Sequence, residues 1–255
     1  VPEILQARVP YDVTARRLPG IAPLAEADWL LVDEAYAAQM AERARLLAER
    51  REAVLAVTPE GEAAAQELLG FVLAWLVAHA PGYRVGEGEV ERPDGVVVAL
   101  DRGDPMGTLG HLVQEDLCLM EKRGPEHHLT AAVVCFPASW RLADKIGRPL
   151  TGIHVPVPEY DDGVARRVQR LFDGVQVGRS LWRFNALRYA EPDLFQPHAR
   201  SAPRAQEARS LPFLRSERQC VVRLPDTRAC VFSIHTFMVK AAQGLSGASA
   251  GPAVW

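Results

Sequence analysis

The chain has 255 residues, 48% hydrophobic and 24% charged, which is enough for one sizeable core or two small ones and excludes a disordered or fibrous class. A formal net charge of -3, with basic residues scattered among acids, gives no general pull toward nucleic acid or an anionic membrane. The four cysteines, Cys118, Cys135, Cys220 and Cys230, show no C-x-x-C spacing and sit in apolar, strand-like runs. That usage predicts reduced, buried thiols in a cytoplasmic protein, not a disulfide framework or a zinc site.

Residues 1–33 are dotted with proline and read as an irregular arm. They lack a basic region followed by an apolar core, so no signal peptide is expected. "DEAYAAQMAERARLLAERREAVLA" is a run of strong helix formers with arginine and glutamate on its outer face. "TPEGEAAAQELLGFVLAWLVAHAPG" predicts a second helix, with Thr58 as cap, Pro59 at its first position, and Pro81 and Gly82 as its stop. The second half of that helix is apolar nearly all round, which predicts burial. Its apolar stretch of about 13 residues falls short of the roughly 20 needed to span a bilayer.

The pattern changes from about residue 83. "GVVVALD" reads as a short strand and "MGTLGHLVQED" as a short helix. "DLCLMEK" and "HLTAAVVCFP" read as two strands joined by the turn-rich "RGPEHH". "SWRLADKIG" predicts a helix ended by Gly147. "DDGVARRVQRLFDGV" is an amphipathic helix, and "SLWRFNALRYA" alternates as a strand does. Residues 190–214 read as a long polar loop, and "RQCVVRLPDTRACVFSIHTFMV" as a hairpin turning at "LPDT". Helices first, then hairpin-linked strands with interspersed helices, favour α+β with an antiparallel sheet over a doubly wound parallel one. The expected partition is an arm and helical layer over 1–82 packed on a core over 83–240, with a loose tail over 241–255.

Glycine-rich phosphate loops, H-E-x-x-H and G-x-S-x-G do not occur, so common nucleotide, zinc and hydrolase readings lack their usual support. His127 and His128 read as a solvated turn. His154 lies in "GRPLTGIHVPVPEY", where prolines fix φ and push the residues before them toward extended geometry. A stiffly held single imidazole suits a five-coordinate haem, and equally a structural role; a zinc site wants more ligands than this neighbourhood offers. In "LRSERQCVVRLPDT", Arg215, Glu217 and Arg218 fall where a sheet edge meets a loop. They read either as a surface ion pair or as a carboxylate that binds a cation beside anion-binding arginines. In "LWRFN", Trp182 and Phe184 share one strand face, Arg183 and Asn185 the other, and core packing is the default for the aromatics.

Taken in order, "LVQEDLCLMEK", "LTAAVVCFPASWRLADKIGRPLTGIHVPVP", "LWRFN" and "RSERQ…RLP…FSIHTF" resemble the haem-dependent oxidative N-demethylases over roughly residues 83–240. The resemblance implies a PAS-like α+β domain holding haem b, with electrons from NADPH through a separate flavin and iron–sulfur reductase. It also implies oxygen-dependent removal of a methyl group from a small secondary amine such as dimethylamine, releasing formaldehyde. His154 matches the axial-ligand histidine and Glu217 the acid of R-x-E-R-Q. His235 stands where arginine is commoner in the family, which leaves open a different distal pocket. Chemical inference adds Glu217 as the group that holds the amine, Trp182 and Asn185 beside the substrate, and Arg141 and Arg148 as partners for the haem propionates. The cysteines lack ferredoxin spacing, so the iron–sulfur centre is expected on the partner. The competing readings are a haem-binding PAS-type sensor or carrier, and a haem-free interaction subunit.

Overall fold

The computed structural model describes residues 3–14, 20–153, 162–198 and 210–241. A two-residue strand, Ala22–Pro23 (β1), precedes helix Tyr36–Glu49 (α1), whose Met40, Leu46 and Leu47 turn inward. On its outer side Arg45 pairs with Glu42 at 2.7 Å and with Glu49 at 2.5 Å, the i,i+3 and i,i+4 spacing a helix brings together. A short helix, Arg51–Val54 (α2), leads into strand Leu55–Val57 (β2). The next helix, Glu62–His79 (α3), follows a 3₁₀ turn over Pro59–Gly61. Thr58 is extended before that turn as a cap residue should be, but its side chain makes no capping bond. Gly61 is required here by close approach: a Cβ would stand 2.5 Å from the carbonyl oxygen of Thr130.

The helical stretch Pro59–His79 is long and apolar enough to cross a membrane by length and composition, longer than the apolar run alone suggests. Its burial is one-sided. Ala64, Ala65, Leu68, Leu69, Val72, Trp75 and Leu76 are buried, whereas Val77 is 70% exposed. Only one side of the helix meets the rest of the core, so an apolar sequence all round does not become burial all round.

Strands Arg84–Val85 (β3), Glu89–Glu91 (β4) and Val97–Ala99 (β5) form a separate three-stranded sheet. Helix Pro105–Leu112 (α4) follows, with Pro105 in its first turn and the Asp104 side chain accepting from the Gly107 N–H at 3.2 Å.

The remaining strands build the main sheet: Asp116–Arg123 (β6), Glu126–Val133 (β7), Leu181–Tyr189 (β8), Phe213–Arg223 (β9) and Cys230–Lys240 (β10). The sheet has seven strands in the order β1-β8-β9-β10-β6-β7-β2, and each neighbouring pair is antiparallel. The fold is α+β, as expected. Numbered one to five along the chain, the five long strands lie in the order 2-1-5-4-3. Both edges, β1 and β2, come from the first 82 residues, so that region supplies strands as well as helices.

Between β7 and β8 run the short helix Leu150–Ile153 (α5) and helix Asp162–Gly174 (α6). "SWRLADKIG" forms only a 3₁₀ turn over Leu142–Asp144. Gly147, at φ +76°, reverses the chain there and donates to the Leu129 carbonyl at 2.7 Å. The β9–β10 turn is tied to α3, because Glu67 accepts from the Asp226 and Thr227 N–H groups at 2.7 and 2.8 Å.

Candidate functional site

Alternation along the strands sorts the main sheet's side chains onto two faces. The front face carries Cys118, Val221, Phe232 and Ile234, packed with Leu150 and Ile153 of α5, Trp140 and Ile146 before it, and Phe172 of α6. A polar row is set beside this apolar patch on β8 and β9. Asn185 stands opposite Glu217 and Arg183 opposite Gln219, and on its other side Glu217 faces Thr236 of β10. Directly opposed residues in an antiparallel pair share a face, so these side chains belong to one surface. Residues Leu181–Arg188 of β8 are half-buried throughout, while every residue of β9 is buried.

Glu217 is the centre of the row. Its Oε2 accepts from Asn185 Nδ2 at 3.0 Å and Gln219 Nε2 at 3.2 Å, and its Oε1 from Arg215 Nε at 3.2 Å. Arg215 is buried and also donates to the carbonyls of Leu194, at 3.0 Å, and Phe136. The Arg215 Nη2 lies 3.1 Å from the same Glu217 Oε1, so the guanidinium meets that oxygen with two of its nitrogens. The sequence reading that placed Arg215, Glu217 and Arg218 at a sheet edge before the strand is corrected here: all three lie inside β9 and are buried. Burial on both faces of a central strand removes the period-two pattern, and the charged residues then imitate a loop.

Two more cations flank the row. Arg183 is half-buried; burial lowers its guanidinium and Glu217 opposes the shift. The Lys145 ammonium lies 4.5 Å from the centre of the Trp140 ring. Burial pulls it down to about 8, against the opposing pull of Cys118, Asp144 and Glu217. Cys118 itself is pushed up to about 12 by burial, so its thiol stays protonated at neutral pH.

The back face is built differently. The His235 imidazole is fully buried between two carboxylates, with Nδ1 3.0 Å from Glu115 Oε1 and Nε2 3.1 Å from Asp33 Oδ2. Burial alone would lower its pKa, but the bonds to Asp33 and Glu115 prevail and raise it to about 9. Asp33 is correspondingly held down at about 2: burial opposes this, and His235, Gln114 and Gln6 outweigh it. Arg218 stands opposite His235 and donates to the Trp29 and Asp28 carbonyls at 3.0 and 2.5 Å. At the start of β6, opposite Ile234, Asp116 forms a buried ion pair with Arg43 at 2.6 Å and also accepts from the Cys135 and Phe136 N–H groups.

The family model described as haem-dependent oxidative N-demethylase, alpha subunit-like, matches residues 20–246. The chain belongs to that family. The match spans both the Glu217 row and the back-face cluster, and it takes in β1, α1 and α3, which the resemblance read over 83–240 did not reach.

Of the residues singled out for this N-demethylase-like chain, the structure brings Asn185 and Glu217 together. Trp182 it does not. Trp182 lies on the back face, its ring 5.6 Å from that of Tyr11 and under the Arg218 guanidinium at 5.4 Å. Arg141 is exposed and pairs with Asp144 at 2.9 Å, and Arg148 is exposed. His154 lies outside the described residues; Ile153, just before it, packs into the front-face cluster. His127 is no solvated residue. It is buried in β7, with Nδ1 2.7 Å from Gln169 Nε2, and burial lowers its pKa.

Sequence reasoning missed Gln219, Arg183 and Lys145 as neighbours of Glu217. The first two were within reach once the β8–β9 register was known, because Arg183 and Gln219 lie two residues along from Asn185 and Glu217. Lys145 carries no such signal, since a turn residue far along the chain reaches this face only through the packing of Trp140 and Ile146.

Proposed function

We propose that the protein removes a methyl group oxidatively from a small secondary amine of the dimethylamine kind, with haem b bound against the front face, using O₂ and releasing formaldehyde. Electrons would come from NADPH through a separate flavin and iron–sulfur reductase. The observation that carries this reading is the Glu217–Asn185–Gln219 row set beside an apolar sheet face within the family match. The strand order 2-1-5-4-3, with α5 and α6 inserted between the second and third strands, supports the PAS-like description of the core. Four free, buried cysteines support a reducing, cytoplasmic setting.

The front face suits a haem by its chemistry. Val221, Phe232, Ile234 and Ile153 offer apolar contact to a flat macrocycle, and the neutral Cys118 thiol does not compete for iron. His154 is the proposed axial ligand. That choice rests on its stiff sequence context and on its position directly after α5, whose Leu150 and Ile153 belong to this cluster. Haem supplies the oxygen chemistry when bound.

The chain's own residues handle the amine. Glu217 accepts its N–H, while Asn185, Gln219 and Arg215 hold the carboxylate in one orientation. Arg215, Arg183 and Lys145 nearby disfavour a further positive charge. They therefore select the neutral amine, whose lone pair is available for oxidation, and Ile234 and Phe232 give the methyl groups a dry surface.

The test is formaldehyde release by haem-loaded protein given dimethylamine, O₂ and a reductant. Glu217→Gln is expected to lower kcat/KM at least about tenfold with haem content unchanged, since it removes a charged hydrogen-bond acceptor. Formaldehyde from no small secondary amine would overturn the reaction. His154→Ala is expected to abolish the haem Soret band; an unchanged spectrum would remove His154 as ligand.

A further inference from the structure

The polar row on the front face extends onto a third strand. Asn185 of β8 stands opposite Glu217 of β9, and Glu217 stands opposite Thr236 of β10. Alternation along β10 puts Thr236 on the same face as Phe232 and Ile234, which belong to the front-face cluster. Directly opposed residues of an antiparallel pair have Cβ atoms about 4.5–5.5 Å apart, so the Thr236 hydroxyl and the Glu217 carboxylate are immediate neighbours.

The backbone of Thr236 is held in place. Pairing of β10 with β6 runs only as far as Ile234, and beyond it side-chain amides take over from the neighbouring strand. The Thr236 carbonyl accepts from Gln39 Nε2 at 3.1 Å and from Gln6 Nε2 at 3.2 Å, while the Met238 N–H donates to Gln6 Oε1 at 2.8 Å. Its side chain is not engaged: Thr236 Oγ1 is buried and has no hydrogen-bond partner among the described residues. A buried hydroxyl without a partner destabilises the fold, and valine fills the same shape without that cost. The Glu217 oxygens do not serve as its partner, because they take Arg215, Asn185 and Gln219.

A neutral secondary amine carries one N–H and one lone pair. With its N–H directed to Glu217, the lone pair lacks a donor and the Thr236 O–H lacks an acceptor. A protonated amine has no lone pair to offer, so the same hydroxyl favours the neutral form. We propose that the Thr236 hydroxyl donates a hydrogen bond to the nitrogen of the bound amine and so orients it beside Glu217. This assignment rests on the amine reading above.

The experiment measures dimethylamine binding to the haem-loaded full chain by titration calorimetry, and the denaturation midpoint without amine. Thr236→Val is expected to weaken binding about fivefold, the scale of one neutral hydrogen bond, with a midpoint equal to or above that of wild type. Thr236→Ala, which cannot crowd the amine, should weaken binding to a similar extent, and Thr236→Ser, which keeps the O–H, should bind as wild type does. Unchanged affinity in both the valine and alanine variants would overturn the assignment. A midpoint that falls in Thr236→Val and recovers in Thr236→Ser would also overturn it, by showing that the hydroxyl serves the fold. Wild-type protein that binds neither dimethylamine nor another small secondary amine would instead overturn the amine reading, and the assignment with it.

Discussion

On the back of the main sheet, His235 is enclosed by Asp33 from the segment before α1 and Glu115 from the segment before β6. On the front, Glu217 takes its donors from its own strand and from the neighbouring β8. A network closed by distant stretches of chain completes itself on folding and holds those stretches together. A network assembled from two adjacent strands ties no distant stretch of chain directly to the carboxylate, and it lies beside the half-buried β8. The difference assigns the back face to architecture and the front face to chemistry, though both bury ionised groups.

Replacing His235 with alanine should break this comparison most visibly. It leaves the buried Glu115 and the half-buried Asp33 without their shared cation, and is expected to cost about 3 kcal/mol, read as a fall in the denaturation midpoint. Glu217→Gln, by contrast, should change the midpoint much less, because an amide still accepts from Asn185, Gln219 or Arg215. Equal losses in the two variants would erase the distinction between the faces.

The pH dependence of stability sharpens it. His235 has a folded pKa of about 9 against an ordinary 6.5, so its contribution is fully present below about pH 6.5 and is lost as pH rises through about 9. Asp33 is lowered from 3.8 to about 2, so its contribution is present above about pH 4 and is lost as pH falls toward 2. Unfolding followed across pH should show a plateau between these limits, and His235→Ala should flatten the alkaline limb. An alkaline limb unchanged in that variant would mean that another group titrates there.

The smallest effect is expected at Arg141. Its pairing with Asp144 is an exposed i,i+3 contact, so Arg141→Ala should leave both the denaturation midpoint and haem affinity unchanged. A clear loss of haem affinity would return Arg141 to the cofactor site.

Local residue pattern alone specifies the long strands, apart from the start of β9, and most of the helices. β6, β7, β8 and the β9–β10 hairpin follow from apolar runs broken by turn residues, and α1, α3 and α6 from helix formers with stop signals at their ends. Such patterns are local, and local backbone preference is enough to read them. The same patterns pick out Glu217, an acid among arginines at the expected sheet edge, and Asn185, an amide in an alternating strand, because both are chemically conspicuous there. Tertiary structure decided the rest. The two edge strands are two and three residues long, too short for any period to show. The start of β9 reads as a loop because charged Arg215 and Glu217 are buried there, neutralised by partners whose positions sequence spacing does not reveal. Asp33 and His235 are 202 residues apart, and only the folded sheet makes them a pair. Burial of a charge depends on which distant group arrives to meet it, and that is settled by packing.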